Sequence, residues 1–417
     1  MYERKAIYMQ QVYWRRNAAI FLIGQGITLF GSMLVHYAIQ WHITLTARSG
    51  VAMMLLSVSM ALPMFLISPF AGVWADRYSK RMLIVAADAA IAVVTLLMAV
   101  LFSLGFEYIA LLMLCTAARG FGQGVQMPAV NSLVPEIVPA ESLTRVNGIS
   151  SSIQSASGLL APIAGGALIA VFPIQAVLYI DVVTAAIGIG MLLLFVKAPA
   201  KEKAAETQTA WREMALGLGY IKSHAFIKKL LIVNVLFNLL ITPAVVLTPL
   251  QTVRDFGPEP WRLVAIEIVF FLGMAAGGGI IGVWGGFKNK SYTIAFAVAF
   301  FGISVIGLGL MEIFTLYLGF MGLAGVAMPV FNAPLMSMLQ VKVDAEYMGR
   351  VMSVMMMLSS IIMPVGMTIW GPLADVVEID LLLLVSGAGI LGTGAFFILS
   401  KTLRHAGLFE PSEKKSA

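Results

Sequence analysis

The chain has 417 residues, of which 60% are hydrophobic and only 12% are charged, and its mean hydropathy is +0.92. Because soluble domains are about half apolar and a quarter charged, this composition excludes a water-soluble globular protein and indicates a membrane protein. The net charge of +6 does not indicate nucleic-acid binding, since the basic residues form short clusters between apolar runs.

The apolar runs predict the transmembrane helices, because a helix needs about 20 apolar residues to cross the hydrocarbon layer. Six runs lie near residues 18–41, 51–74, 82–103, 108–129, 148–171 and 174–196. Six more lie near residues 228–252, 262–284, 292–311, 313–338, 351–372 and 380–401. We predict an all-α integral membrane protein with an N-terminal six-helix bundle (1–196), a cytoplasmic linker (197–227) and a C-terminal six-helix bundle with a short cytoplasmic tail (228–417).

The lysine and arginine residues predict the orientation, because cytoplasmic loops carry the excess of positive charge. With the N-terminus inside, the segments outside retain only Arg48, Arg254 and Arg262. We therefore expect both termini in the cytoplasm and the chain in the bacterial cytoplasmic (inner) membrane.

The two halves also repeat one another in sequence. The segment 124–128, which reads Gly-Val-Gln-Met-Pro, matches the segment 325–329, which reads Gly-Val-Ala-Met-Pro. Pro162 and Pro364 follow in register. This internal duplication predicts two pseudo-symmetric bundles, the six-plus-six architecture of major facilitator transporters, in which the halves rock about a site near the midplane.

The segment that follows the second run resembles the major facilitator signature G-x-x-x-D-R-x-G-R-R. Ser79 stands where glycine is usual. The resemblance implies a latch that steadies one of two conformations, whereas the simpler interpretation is a solvated positive-inside loop. The latch residues would be Gly72, Asp76, Arg77, Lys80 and Arg81.

The fifth run resembles the antiporter signature G-x8-G-x3-G-P-x2-G-G, which marks exporters in that family. Serine and alanine replace two of its glycines, so ordinary packing through small residues is the alternative interpretation. The residues that carry this resemblance are Gly148, Ser157, Ala161, Pro162, Gly165 and Gly166.

Further segments narrow the resemblance to the branch that holds macrolide-efflux proteins and the enterobactin exporter. They are Gly24-Gln25, Arg119-Gly120-Phe121-Gly122 and Gly349-Arg350-Val351. The resemblance covers nearly the whole chain and implies export, and it leaves the substrate open.

Polar side chains inside the apolar runs are candidates for lining a substrate cavity. Arg119, Gln123 and Gln126 share one helix face, which must line a cavity or contact another helix. Isolated amides more often join helices. The other candidates are Gln25, Gln154, Asn234, Asn238 and Asn332.

Proton coupling needs a carboxylate that can be protonated in one state and ionised in the other. The candidates are Glu267 and Asp181, near the outer edge in either half, and Asp88, near the inner edge. Asp88 has the simpler alternative of pairing with Arg81 or another neighbour.

These features predict a secondary active exporter that exchanges protons for amphipathic drugs such as macrolides. The sequence contains no nucleotide loop, no paired nucleophile and base, and no zinc pattern. We therefore expect neither an enzyme nor a cofactor or metal, and we expect the proton gradient to supply the energy. The expected partners are the substrate, protons and membrane lipid, with no nucleic acid and a functional monomer. Two alternatives stay open: export of a siderophore or another endogenous metabolite, with Arg119 as an anion contact, and a non-transporting sensor or scaffold on the same fold.

Overall fold

The computed structural model describes residues 2–196 and 219–408, and these form helices almost throughout, without a β-strand. Twelve long helical segments follow one another in this part of the chain, which confirms the predicted all-α fold. They are α1 (Tyr2–Ala47), α2 (Gly50–Arg77), α3 (Lys80–Ser103), α4 (Ile109–Ile137), α5 (Leu143–Val171), α6 (Ile174–Phe195), α7 (Ala225–Phe256), α8 (Pro260–Trp284), α9 (Lys290–Leu308), α10 (Phe314–Lys342), α11 (Ala345–Val376) and α12 (Ile379–Leu399), followed by a short α13 (Lys401–Ala406).

Eleven of the described helices are long and apolar enough to cross a membrane. The twelfth, α4, is 29 residues long, but Arg119, Gln123 and Gln126 lower its mean hydropathy. Of the predicted linker, residues 197–218 lie outside the described part of the chain, and so does the tail from residue 409.

Two helices differ from the expected course. The second apolar run ends near residue 74, but α2 continues as a helix to Arg77 and only two residues separate it from α3. Helix α7 contains wide π-turns at Pro243–Leu247 and Thr252–Phe256. Prolines at 243 and 249 remove backbone hydrogen bonds at this point, a known cause of such irregularities.

The described chain groups into two compact units. Unit 1 comprises Met1–Ala47 and Leu55–Thr207, and unit 2 comprises Arg48–Met54 and Gln208–Ala417. Helix α2 is therefore divided, with its first turn in unit 2.

Each unit repeats the same internal packing. In unit 1, α3 packs against α4 and α6, and α1 packs against α5 and α6. In unit 2, α9 packs against α10 and α12, and α7 packs against α11 and α12. The pairs correspond at an offset of six helices, which confirms the predicted pseudo-symmetry.

A glycine of the repeated segment allows two helix backbones to approach closely in each unit. A Cβ atom at Gly124 of α4 would lie 2.8 Å from the carbonyl oxygen of Met64 in α2. A Cβ atom at Gly325 of α10 would lie 2.2 Å from the carbonyl oxygen of Phe270 in α8. Small residues let helix backbones touch in a membrane, where the hydrophobic effect gives little drive for association.

Candidate functional site

Unit 1 contains a buried ion pair between Arg119 of α4 and Asp181 of α6. Their side chains are 3% and 1% exposed. One guanidinium nitrogen of Arg119 donates to Asp181 Oδ2 and to Thr95 Oγ1, the latter at 2.5 Å. The other donates to the Ser32 carbonyl at 3.3 Å. Buried charges are tolerated only with such partners, so four helices supply what this pair requires.

The close approach of α1 to α6 brings Ser32 of α1 within hydrogen-bond distance of Asp181. Gly31 precedes Ser32, and a Cβ atom at position 31 would lie 2.0 Å from Thr184 Oγ1. The glycine therefore lets α1 approach α6, and the Ser32 hydroxyl donates to Asp181 Oδ1 at 3.4 Å. The structure places both candidate residues, Arg119 and Asp181, in an interhelical pair; their roles in substrate binding and coupling stay predictions.

A second polar contact lies along the same α3–α4 interface. Gln126 Nε2 donates to Asp88 Oδ1 at 2.6 Å, and Asp88 is 2% exposed. The other carboxylate oxygen, Oδ2, has no hydrogen-bond partner among the described residues. Asp88 therefore pairs with a neighbouring residue, Gln126, and not with Arg81.

The Thr95–Arg119 and Asp88–Gln126 contacts both join α3 to α4, one above the other. Asp88 and Thr95 are seven residues apart on α3, and Arg119 and Gln126 are seven apart on α4. The two contacts therefore lie roughly 10 Å apart along the helices. Thr95 was missed by sequence reasoning, although its spacing from Asp88 was the available signal.

The basic residues after α2 hold helix ends within unit 1. Lys80 Nζ lies 2.5 Å from Glu136 Oε1 and donates to the Ser132 carbonyl at 3.2 Å, at the end of α4. Arg81 Nε donates to the Leu192 carbonyl of α6 at 3.2 Å.

The remaining latch residues are not described beyond their backbone. The side chains of Asp76 and Arg77 and the surroundings of Gly72 lie outside the described part of α2. The latch therefore stays a prediction.

The antiporter-like segment lies on α5, which packs against α1. Ser157, Ala161, Pro162, Gly165 and Gly166 are buried. A Cβ atom at Gly165 would lie 3.4 Å from the Leu34 carbonyl. This geometry shows packing through small residues.

Gly148, the first residue of the antiporter-like segment, is exposed. A Cβ atom there would meet nothing within 4 Å among the described residues. That this segment marks an exporter stays a prediction.

In unit 2, two amides of α7 form one group. Asn238 Nδ2 donates to Asn234 Oδ1 at 3.2 Å, and the Ser359 hydroxyl of α11 donates to the same oxygen at 3.3 Å. The side chains of the four other amide candidates form no hydrogen bond within the described parts of the chain. Gln25 and Gln123 are partly buried, and Gln154 and Asn332 are exposed.

Glu267 is the candidate carboxylate of unit 2. It lies near the start of α8 in a partly buried position, and Leu263 and Ile266 of the same turn are buried. Across residues 219–408 no hydrogen bond or ion pair reaches its carboxylate.

A further carboxylate that sequence reasoning missed is Asp375, at the end of α11. Its Oδ2 accepts the Ser49 hydroxyl at 2.6 Å and the Val51 N–H at 3.0 Å, and its Oδ1 accepts the Gly50 N–H at 2.6 Å. Arg254 completes the group at 2.9 Å from Oδ1. A carboxylate at a helix N-terminus satisfies free N–H groups and the helix dipole, so Asp375 caps α2 within unit 2.

Comparisons with known families agree with this architecture. Residues 18–367 match the family profile described as Major Facilitator Superfamily. Macrolide efflux protein A of Streptococcus pyogenes is 28% identical over 385 residues, which cover 91% of this chain and 94% of that protein. Macrolide efflux protein A of Enterococcus faecalis is 29% identical over 75% of this chain and 99% of that protein. The Multidrug efflux pump Tap of Mycobacterium bovis is 24% identical over 86% of this chain and 87% of that protein.

Solved structures show the same fold. A bacterial homologue of the human lysosomal transporter Spinster, in an inward-facing and unoccupied conformation, superposes with a TM-score of 0.69 at 14% identity, covering 95% of this chain and 97% of the other. The nucleoside transporter NupG gives a TM-score of 0.70 at 14% identity, covering 91% and 98%. At this identity the likeness extends to the fold alone.

Proposed function

Because the chain belongs to the Major Facilitator Superfamily, we propose that it is a proton-coupled exporter of amphipathic drugs such as macrolides. It is a multi-pass membrane protein and a transporter rather than an enzyme. The observation that carries the proposal is the similarity to a macrolide efflux protein over 91% of the chain. In the proposed orientation both termini face the bacterial cytoplasm, and the two six-helix halves alternate access to a central site as a monomer.

The contacts of the three candidate carboxylates support different roles in coupling. Asp181 has a guanidinium and two hydroxyl-bearing neighbours, so its negative charge is compensated where it lies. Asp88 keeps one oxygen without a partner in the described structure, and no hydrogen bond or ion pair among the described residues reaches the Glu267 carboxylate. A carboxylate whose charge is not compensated gains most from taking up a proton. We therefore assign the transported proton to Glu267 and Asp88, and a structural charge to Asp181.

The function is tested by transport of radiolabelled erythromycin in proteoliposomes with the cytoplasmic face outward. An acidic lumen drives protons out, so an antiporter should accumulate the drug inside, about tenfold per pH unit if one proton is exchanged for one drug molecule, since a tenfold ratio corresponds to about 1.4 kcal/mol. Nigericin should abolish the accumulation. Equal drug entry with and without the gradient would overturn the coupling, and failure to transport erythromycin or any drug of an amphipathic panel would overturn the efflux assignment.

Glu267→Gln should lose gradient-driven accumulation and still bind and exchange the drug. Glutamine resembles the protonated side chain in shape and cannot release a proton, so substrate exchange without net proton movement remains possible. The measurement compares uptake under a pH gradient with exchange of labelled for unlabelled drug. Glu312→Gln is the matched control, because Glu312 is an exposed carboxylate of the same unit. Normal gradient-driven uptake by Glu267→Gln would remove Glu267 from the coupling site.

A further inference from the structure

A groove of about 670 Å³ opens where α8 ends, α9 begins and α13 follows α12. Its lining is basic and aromatic, and consists of Phe287, Lys288, Asn289, Tyr292, Arg404, His405 and Leu408. All of these residues belong to unit 2. The groove takes no part in the proposed transport cycle.

Among the described residues, no nearby acid neutralises the positive charge of the groove. The segments 285–308 and 399–408 contain no aspartate or glutamate. In the described structure, neither Lys288 nor Arg404 forms an ion pair with a carboxylate. The ligand that fits this charge is an anion.

Hydrogen bonds fix the walls of the groove. Asn289 Oδ1 accepts the Ser291 N–H at 3.0 Å, and Asn289 Nδ2 donates to the Arg404 carbonyl at 2.9 Å. The Lys290 N–H donates to the Gly407 carbonyl at 2.9 Å. These bonds tie the start of α9 to α13, so the basic side chains project from a rigid backbone, which reduces the entropic cost of binding.

The backbone turn before α9 brings a charge and an aromatic ring to the same rim. Gly285 and Gly286 have φ values of 71° and 81°, in the left-handed region that favours glycine. The turn they form leads directly to Phe287 and Lys288, which are both exposed. Phe287 lies in the short loop between α8 and α9, and aromatic side chains next to membrane-spanning helices are typical of the boundary between lipid and water.

The exposed apolar surface beside the charges indicates a lipid rather than a free ion. Phe287, Tyr292, Phe296 and Leu408 are 44%, 40%, 50% and 49% exposed. An inorganic anion would gain nothing from these side chains, whereas the glycerol and upper acyl carbons of a phospholipid would cover them. Basic pockets between transmembrane helices bind anionic head groups in this way.

We propose that this groove binds the phosphate head group of an anionic phospholipid, with Lys288 and Arg404 on the phosphate and Phe287 and Leu408 against the glycerol region. In the proposed orientation this lipid belongs to the cytoplasmic leaflet. The site anchors the end of α8 and α9 to the membrane surface.

The test is native mass spectrometry of the full-length protein with phosphatidylglycerol, and with phosphatidylcholine of the same acyl chains. The Lys288→Gln/Arg404→Gln double variant should bind phosphatidylglycerol roughly 30-fold more weakly, the loss expected for two basic side chains at an anionic surface. The control is Arg145→Gln/Lys342→Gln, which removes the same charge at two exposed positions elsewhere. Phe287→Ser should weaken lipid binding as well.

Three outcomes would overturn the proposal. The first is equal binding of the two lipids by the unchanged protein. The second is an equal loss in the control variant. The third is displacement of phosphatidylglycerol by millimolar inorganic phosphate, which would identify a simple anion site. Since the readout is binding and not transport, failure here leaves the proposed export function untouched.

Discussion

Replacement of Arg119 by methionine is expected to abolish drug export and to destabilise unit 1 more than any surface change. The substitution keeps the length and apolar stem of the side chain and leaves Asp181, 1% exposed, without its guanidinium. Removal of one partner from a buried ion pair costs about 3–5 kcal/mol, because the remaining charge stays desolvated. The measurement is the thermal unfolding temperature in detergent, together with erythromycin uptake in proteoliposomes.

A double-mutant cycle separates the pair's structural and transport roles. Asp181→Leu should be destabilised like Arg119→Met, and the double variant should be more stable than either single variant, because no unpaired charge remains. Arg145→Met serves as the control, since Arg145 is exposed at the start of α5. A stable double variant that still exports the drug would restrict the pair to folding, and a single variant as stable as the unchanged protein would contradict the buried pair itself.

The sequence allowed the helices to be predicted and indicated that Arg119 lines a cavity or contacts another helix, but it did not identify the ion pair. Apolar runs locate membrane helices because lipid offers no hydrogen bonds, so each span must satisfy its own backbone. An arginine in such a run requires a partner, and its spacing from Gln123 and Gln126 defines the helix face. Spacing within α4 does not tell which helix lies opposite, and the partner, Asp181, is 62 residues away.

The cap on α2 illustrates the same limit more strongly. Ser49 and Gly50 resemble an ordinary helix start, and Asp375 follows more than 320 residues later at the end of α11. Positive-inside counting places Arg254 outside the membrane and does not indicate that it contacts Asp375. Contacts of this kind depend on how distant helix ends meet, which local propensity and hydropathy do not encode.

Replacement of Gly325 by alanine is expected to destabilise unit 2 although it adds a single methyl group. The new Cβ atom would lie 2.2 Å from the Phe270 carbonyl oxygen, and 3.1 Å from both Gly273 Cα and the Met274 nitrogen. All three are backbone atoms, so no side chain can rotate away. The axes of α8 and α10 must separate by roughly 1 Å to restore an ordinary carbon–oxygen contact. Overpacking of this kind costs about 1–3 kcal/mol, and the measurement is again the unfolding temperature.

Helix α10 supplies its own control for this prediction. Gly319 lies six residues earlier on the same helix, and a Cβ atom there would meet nothing within 4 Å in the described structure. Gly319→Ala should therefore leave the unfolding temperature unchanged or raise it slightly, because alanine favours a helix over glycine. Equal effects of the two substitutions would show that helix propensity, and not the α8–α10 contact, makes glycine necessary.

The duplicated position in unit 1 should respond less strongly. At Gly124 the nearest atom to a new Cβ would be Ile67 Cγ2 at 2.4 Å, which belongs to a side chain that can adjust, and the Met64 carbonyl lies farther away at 2.8 Å. Gly124→Ala should therefore lower the unfolding temperature by less than Gly325→Ala does. The same glycine of the ancestral repeat would then be required to different degrees in the two units, because at this glycine the backbones of α8 and α10 approach more closely than those of α2 and α4 do.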